Sequence, residues 1–328
     1  MVVRLRYLGR RILFALITFL LAATADFALP RLMGGNPAQA MASQTALGSP
    51  QVVAALKKEF GLSDPNVFHQ YWAYLSQLVH GNLGISYEYY PTPVIHVLLQ
   101  ALPFTVGLVL SSTVISFIVG WFLGVLGAWY RGRAVDEWSV GIAFLLYAMP
   151  YFWLAMMLVF VFAFLLGWFP MGHALPTVIT TMSPWQYILG TVYHGLLPVS
   201  SLVLTSTAGH LLLMRNNMLT VMGEEYMTLA KAKGISASKM MFKYGARAAL
   251  LPSFTGFMLS LGTVVGGALV TEIVFSYPGV GTLIYSAILS HDYPVIQGAF
   301  LILATTVIIA NLLADLLYPV IDPRVAIQ

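Results

Sequence analysis

Six long apolar stretches restrict the folds that this chain can adopt. They cover approximately residues 12–29, 102–130, 138–166, 192–219, 250–275 and 296–321. A helix rises 1.5 Å per residue, so about 20 apolar residues cross a hydrocarbon layer of roughly 30 Å. A helix also satisfies its own backbone hydrogen bonds inside that layer. The sequence therefore predicts an all-α integral membrane protein with about six transmembrane helices.

The composition agrees with a lipid environment. Hydrophobic residues make up 59% of the 328 residues and charged residues only 9%, whereas about 25% of the residues in a soluble domain are charged. The formal charge of +4 would suit nucleic acid, but the side of the membrane on which each basic residue lies has to be considered first. That placement argues against a nucleic-acid partner. The chain has no cysteine, which excludes disulfides, zinc-thiolate sites and a thiol nucleophile.

The basic residues predict which side of the membrane each loop faces, because loops rich in Lys and Arg stay in the cytoplasm. If the N terminus is inside, the loops after the third and fifth stretches contain no Lys or Arg, and only Arg31, Lys57 and Lys58 lie outside. Both termini are therefore expected in the cytoplasm, in a multi-pass protein of the cell membrane. The residues assigned to the inner side are Arg4, Arg6, Arg10, Arg11, Arg131, Arg133, Arg215, Lys231, Lys233, Lys239, Lys243, Arg247 and Arg324.

Three regions follow from this arrangement. Residues 1–30 form an N-terminal arm and the first transmembrane helix, which five further stretches identify as a retained anchor rather than a cleaved signal peptide. Residues 31–101 form an external insert with helical patterns at 51–60 and 68–79, and residues 102–328 form a five-helix core. Pro150 interrupts the third stretch and is predicted to kink its helix, because proline lacks the backbone donor.

The cytoplasmic loop between the fourth and fifth stretches, residues 223–247, is hereafter called the coupling loop. Its sequence predicts a short helix over 224–234, a turn at 235–236 and a second helix over 237–244. Tyr226 and Leu229 are three residues apart and share one helix face, while the small residues Ala230 and Gly234 allow another surface to come close. The loop is interpreted either as a docking element for a partner or as an amphipathic helix on anionic lipid.

The sequence contains a set of motifs at Gly35-Asn36-Pro37, residues 60–65, 70–72, 81–86, 149–152 and 169–172, the loop residues Glu225, Tyr226, Ala230 and 232–234, and residues 251–252, 272–281, 292–298 and 322–324. Taken together in their order and spacing, these motifs resemble the permease subunits of binding-protein-dependent ABC transporters of the dipeptide/oligopeptide type, and the first of their two permeases in particular. The resemblance covers nearly the whole chain. This sequence departs from the family pattern at Asn36 and Asn82, where the family usually has Asp.

The resemblance implies which partner subunits the chain has and which step of transport each of them performs. A second homologous permease would complete the pore, two ATP-binding subunits would drive it, and an extracytoplasmic solute-binding protein would deliver the solute. The chain itself would be no enzyme and hold no cofactor, with ATP and Mg²⁺ bound by the partner subunits, because its sequence contains no Gly-x-x-x-x-Gly-Lys-Ser/Thr phosphate loop. The residues implied to dock an ATPase are Glu225, Tyr226, Leu229, Ala230, Lys233 and Gly234.

Candidate pore or gate residues come from polar and aromatic groups at membrane depth, where ionisable groups are costly. His210 is interpreted as lining the path or as bonded to a neighbouring helix. Glu272 either meets solute or binding protein or holds the turn that follows it. Tyr151, beside Pro150, belongs either to an aromatic pore wall or to helix packing. Arg215 is interpreted as a snorkelling anchor or a structural contact to the coupling loop. No catalytic or metal-binding constellation is predicted.

Other functional classes fit the sequence less well. An autonomous secondary transporter or channel would show its own coupling site, such as broken helices in repeated positions or paired buried carboxylates. An intramembrane enzyme would show a motif such as His-Glu-x-x-His. The importer is therefore the favoured function. Peptide is favoured as its substrate, followed by oligosaccharide and then nickel.

Overall fold

The computed structural model describes residues 2–32, 66–175 and 183–321, except for side chains at 2–8, 29–32, 255, 259, 261–267 and 314–321. Within these ranges the chain forms helices and one isolated bridge between Ile85 and Pro93. The predicted all-α class is confirmed. The helices are α1 Val2–Leu32, α2 Val67–Val79, α3 Val94–Trp129, α4 Ala134–Ala148, α5 Tyr151–Leu158, α6 Pro184–Met222, α7 Glu225–Ala232, α8 Ala237–Lys239, α9 Arg247–Val274, α10 Val280–Leu289 and α11 Tyr293–Ile321, with π-helical segments at Val159–Leu165 and Met240–Ala246.

The membrane-crossing helices correspond to the predicted apolar stretches. Among the described residues, four helical segments are long and apolar enough to cross a membrane, namely Gly9–Ala28 within α1, α3, α6, and Tyr293–Leu313 within α11. Helix α4 and the segment Tyr151–Leu165, which joins α5 to the π-helical residues after it, make a fifth if the bent pair counts as one span. Helix α9 coincides with the predicted stretch 250–275, but some of its side chains lie outside the described part. The number of six spans and the sidedness of the loops stay predictions.

The predicted bend at Pro150 is confirmed, and it is a break between two helices rather than a kink within one. Helix α4 ends at Ala148, α5 begins at Tyr151, and their axes differ by 102°. Met149 is extended, with ψ of 134°, because the proline ring disfavours a helical conformation for the residue before it. One predicted helix is therefore two, and Tyr151 begins the second of them.

Two other sequence predictions can be compared with the described residues. The helix expected over 68–79 in the insert is present as α2, whereas 51–60 lies outside the described residues. Helix α10, which buries Val280, Ile284 and Ala287, was not predicted, because at ten residues it is too short to resemble a span. The regional boundaries at residues 30 and 101 stay a prediction.

The described residues divide into two compact units. Val106–Tyr277 lies in the first, and Leu8–Thr105 with Pro278–Ile309 lies in the second. Helix α6 occupies the middle of the first unit, where it contacts α4, α5 and α9. In the second unit, Gly298 of α11 lies so close to α3 that an added Cβ would approach Val94 Cγ1 to 2.7 Å.

Two glycines set the distance between α3 and α6 in the first unit. A Cβ on Gly120 would lie 2.6 Å from His210 Cβ, and one on Gly124 would lie 2.7 Å from the carbonyl oxygen of Leu211. Small residues four apart permit such close crossings in lipid, where dispersion contacts between helices replace the hydrophobic effect. The close approach allows Val125, Ala128, Met214 and Met218 to form one buried cluster beside it.

We expect Gly124→Ala to lower stability by about 1 to 3 kcal/mol, because the new methyl group overpacks against the backbone of α6. The measurement is the thermal midpoint of the detergent-solubilised chain. Gly107→Ala is the matched control on the same helix, since nothing lies within 4 Å of its added Cβ. Equal midpoints for the two variants would show that this crossing does not limit the fold.

Candidate functional site

The coupling loop folds into a short helix between two long ones. Helix α6 ends at Met222, and α7 runs from Glu225 to Ala232. Gly234 then adopts φ of +70°, a left-handed conformation that ends a helix without strain only when the residue lacks a Cβ. The predicted second helix begins at Ala237, and it continues through Met240–Ala246 directly into α9. Helix α7 is thus connected over a few residues to α6 on one side and to α9 on the other.

Helix α7 has one buried and one exposed face. Met227 and Ala230 are buried and form a cluster with Met240. This burial changes the interpretation of Ala230, because its small side chain accommodates the chain's own packing and is not open to a partner. The other five residues predicted to dock an ATPase are exposed, namely Glu225, Tyr226, Leu229, Lys233 and Gly234, and their docking role stays a prediction.

Two apolar side chains stand out on the exposed face of α7. Leu229 is 54% exposed and Tyr226 is 41% exposed, although neither lies within a membrane-crossing segment. Partial burial and the nearby Glu224 carboxylate raise the pKa of the Tyr226 hydroxyl, so this side chain remains a neutral hydrogen-bond donor at physiological pH. Tyrosine is enriched at protein interfaces, and an exposed leucine on the same helix face adds apolar contact area to it.

Arg215 forms a structural contact, but to α4 rather than to the coupling loop. Its Nε lies 2.6 Å from Asp136 Oδ1 and its Nη2 lies 2.9 Å from Oδ2. The Gly132 amide donates to the same carboxylate at 3.1 Å. This bidentate arrangement fixes the orientation of the guanidinium relative to the carboxylate. Sequence analysis missed Asp136, although an acidic residue just before the third predicted stretch and an arginine near the same side of the fourth were a usable signal.

A second polar contact joins α6 to α9 two residues further along. Asn217 Nδ2 donates to Ser253 Oγ at 3.0 Å, and Ser253 also donates to the carbonyl of Ala249 within α9. Ser253 is buried. Helix α6 therefore carries polar contacts to α4 and to α9 within its last two turns before the coupling loop.

The predicted gate residue Tyr151 connects three helices. Its hydroxyl lies 3.0 Å from Ser201 Oγ of α6 and is also hydrogen-bonded to Thr271 Oγ1 of α9. Ser201 and Thr271 are fully buried. Pro150 places this hydroxyl, because the chain breaks there and Tyr151 starts α5. Whether Pro150 and Tyr151 form part of a gate stays a prediction.

The other two pore candidates lie within packed surroundings. The His210 ring contacts Phe117 edge-to-face at 5.7 Å and lies 6.5 Å from the ring of Phe257. Glu272 is fully buried, and its backbone carbonyl accepts the Tyr277 amide at 2.7 Å. This backbone hydrogen bond belongs to the turn that follows α9, and both interpretations of the Glu272 side chain stay predictions. A pore role for either residue stays a prediction.

In the second unit, a buried carboxylate joins two of the sequence motifs. Asp292 Oδ2 accepts a hydrogen bond of 2.5 Å from Ser86 Oγ and bonds of 3.0 Å from the amides of Tyr87 and Glu88. Asp292 is fully buried. Burial and the nearby Asp292 carboxylate raise the pKa of the Tyr87 hydroxyl, which is therefore un-ionised. The motifs at 81–86 and 292–298 are thus one structural feature, formed by residues 206 positions apart.

We expect substitutions at Asp136 and Arg215 to have non-additive effects on stability in a double-mutant cycle. Arg215→Gln alone leaves a largely buried carboxylate without its cation, which costs about 3 kcal/mol or more. Asp136→Asn with Arg215→Gln removes both charges and should recover part of that loss in thermal midpoint. Strictly additive changes would show that the pair contributes nothing beyond its separate side chains.

The sequence matches a known family over most of its length. Residues 116–327 match the family described as the inner membrane component of binding-protein-dependent transport systems, and residues 4–109 match the N-terminal region of such membrane components. Among solved structures, an amino acid ABC transporter with histidines aligns with a TM-score of 0.49 and 12% identity over 76% of this chain and 97% of that chain.

Curated relatives cover essentially the same length. The oligopeptide transport system permease protein AppB of Bacillus subtilis is 33% identical over 97% of this chain and 98% of the relative. The di/tripeptide transport system permease protein DppB of Pseudomonas aeruginosa is 34% identical over 99% of each chain. The dipeptide transport system permease protein DppB of Escherichia coli K12 is 32% identical over 98% of each chain. This chain therefore belongs to the family of binding-protein-dependent transport system inner membrane components, and it is a multi-pass protein of the cell membrane.

Proposed function

We propose that this chain is the permease subunit of an ATP-driven importer of di- or oligopeptides and forms half of the translocation pore. The observation that carries the proposal is full-length similarity to permeases named for oligopeptide, dipeptide and di/tripeptide transport. A second homologous permease supplies the other half of the pore. An extracytoplasmic binding protein delivers the peptide, and two ATP-binding subunits supply the energy.

The exposed face of α7 is the surface that we assign to the ATP-binding subunits. Leu229 and Tyr226 supply apolar contact area, and Glu225 and Lys233 supply charged contacts beside it. Gly234 ends the helix with open space around its Cα, so a partner can approach the backbone there. A lipid surface is the alternative occupant, but Leu229 lies between the acidic Glu225 and the basic Lys233, a mixed charge pattern that suits a protein groove better than anionic lipid.

The packing of α7 accounts for how a pull on it would reach the pore. Met227 and Ala230 pack on Met240, the first residue of the π-helical segment that continues into α9, so α7 moves together with the segment that leads into α9. Helix α6 is bound to α4 through Arg215 and Asp136, so its displacement is passed to the helix that precedes Pro150. Rigid-body movement of these helices is one way to alternate between inward-open and outward-open states.

Hydrolysis itself belongs to the partner subunits in this proposal. They bind ATP and Mg²⁺, and this chain acts as neither an enzyme nor a cofactor carrier. The pore wall is assigned to the region around Tyr151 and Pro150, with His210 and Glu272 as further candidates. Among the alternatives, an oligosaccharide importer differs only in the solute, whereas an autonomous secondary transporter would need no ATP-binding partner.

The transport proposal is tested in proteoliposomes that contain this chain, the second permease and the ATP-binding subunits of its own transport system, with the binding protein outside. We expect ATP-dependent uptake of labelled di- or oligopeptide, with competition by unlabelled peptide and none by oligosaccharide. A hydrolysis-deficient ATP-binding subunit is the control. Uptake that persists with this subunit would identify an autonomous transporter, and oligosaccharide or nickel uptake without peptide uptake would reassign the substrate.

The docking surface is tested by co-purification of the ATP-binding subunits. We expect Gly234→Arg and Leu229→Asp each to weaken assembly at least tenfold, equivalent to about 1.4 kcal/mol, with the membrane part still folded. Gly132→Arg is the matched control, because Gly132 has φ of +74°, Gly234 has φ of +70°, and nothing lies within 4 Å of an added Cβ at either position. Assembly that is equally strong in all three variants would contradict the assignment of this face.

A further inference from the structure

Helix α2, Val67–Val79, carries no charged residue and has an amphipathic distribution of side chains that the importer mechanism does not explain. The Asn66 side chain caps its first turn by accepting the Phe68 amide at 3.0 Å, which fixes where the helix begins. At 3.6 residues per turn, its side chains fall into three strips around the axis. The three strips differ in what they contact.

The first strip holds α2 against the C-terminal end of α1. Tyr71 and Thr24 hydroxyls are 2.7 Å apart, and Tyr74 donates to Asp26 Oδ2 at 3.1 Å. The Phe27 ring packs edge-to-face on Tyr71, with centroids 5.2 Å apart. These three α1 residues belong to the last five positions of the membrane-crossing segment Gly9–Ala28. Helix α2 is therefore held at the depth where that segment leaves the hydrocarbon layer.

The second strip is apolar and exposed. Phe68 is 77% exposed, Trp72 is 68% exposed and Val79 is 85% exposed, while Leu75 between them is half-buried. The spacing of these four residues places them within an arc of about 60° on the helix surface. A continuous row of large apolar side chains is unusual on a surface that faces water.

The third strip is exposed and contains small or polar side chains. His69, Ala73, Ser76 and Gln77 lie on it. It is turned away from the apolar strip by about 120°, on the side opposite to the strip that contacts α1. A helix beside a membrane segment with an apolar flank and a polar flank has the arrangement required at a boundary between lipid and water.

We propose that α2 lies along the membrane–water boundary on the side opposite to the N terminus, with Phe68, Trp72 and Val79 inserted among the lipids. The contacts with Thr24, Asp26 and Phe27 fix the depth, and tryptophan is enriched at this depth because its ring is apolar and its N–H is polar. Because α2 carries no charge, insertion rests on apolar burial and does not require anionic lipid. This inference depends on membrane location and not on the transported solute.

The absence of native cysteine allows a direct test with one spin label per chain. Trp72→Cys and the matched control Gln77→Cys are labelled in the full-length chain in phosphatidylcholine nanodiscs, and power saturation measures collisions with oxygen and with a water-soluble nickel chelate. We expect the label at position 72 to collide preferentially with oxygen and the label at 77 with the chelate. Adding anionic lipid should change neither value.

Other outcomes would overturn the proposal. Chelate access at 72 equal to that at 77 would place the apolar strip in water. Low access to both reagents at 72 would mean that protein, and not lipid, covers the strip. If Trp72→Cys fails to fold, Phe68→Cys and Val79→Cys report on the same strip, and the proposal requires both labels to favour oxygen.

Discussion

Polar groups in a membrane protein need partners from the same protein, because lipid offers none, and this constraint organises the first unit around α6. Along α6, Ser201 meets Tyr151 of α5, Arg215 meets Asp136 of α4, and Asn217 meets Ser253 of α9. An unpaired polar group at this depth costs several kcal/mol. Each contact therefore specifies which face of the neighbouring helix turns toward α6, a choice that apolar packing alone leaves open.

The absence of Cβ atoms at Gly120 and Gly124 complements these polar contacts. It lets α3 lie directly against the backbone of α6 between His210 and Arg215, and it brings Arg215 beside Gly127 as well. The same stretch of α6 thus carries its closest packing and its ion pair, and the coupling loop follows after Met222. The helices that lead into the coupling loop are therefore tightly packed on one another.

In the second unit, the resemblance motifs acquire a physical explanation. Asp292 binds the backbone amides of Tyr87 and Glu88, and Gly298 leaves room for Val94 and Leu98. The residues that made the motifs recognisable are those that hold the 84–88 segment on the start of α11. They are structural residues, so the motifs identify the family without identifying its solute.

Several features could be predicted from the sequence because they depend on local properties. Apolar length predicted the membrane helices, the proline ring predicted the break at Pro150, and residue size and periodicity predicted the short helix of the coupling loop.

Tertiary structure decided the rest. Ala230 is indistinguishable by sequence from a residue open to a partner, yet it is buried on Met240. Arg215 was recognised as a costly charge, but its partner Asp136 lies 79 positions away, and helix α10 is too short for its periodicity to separate it from a turn. Local sequence determines which segments become helices, whereas the pairing of polar groups between distant helices depends on contacts that exist only after the chain has folded.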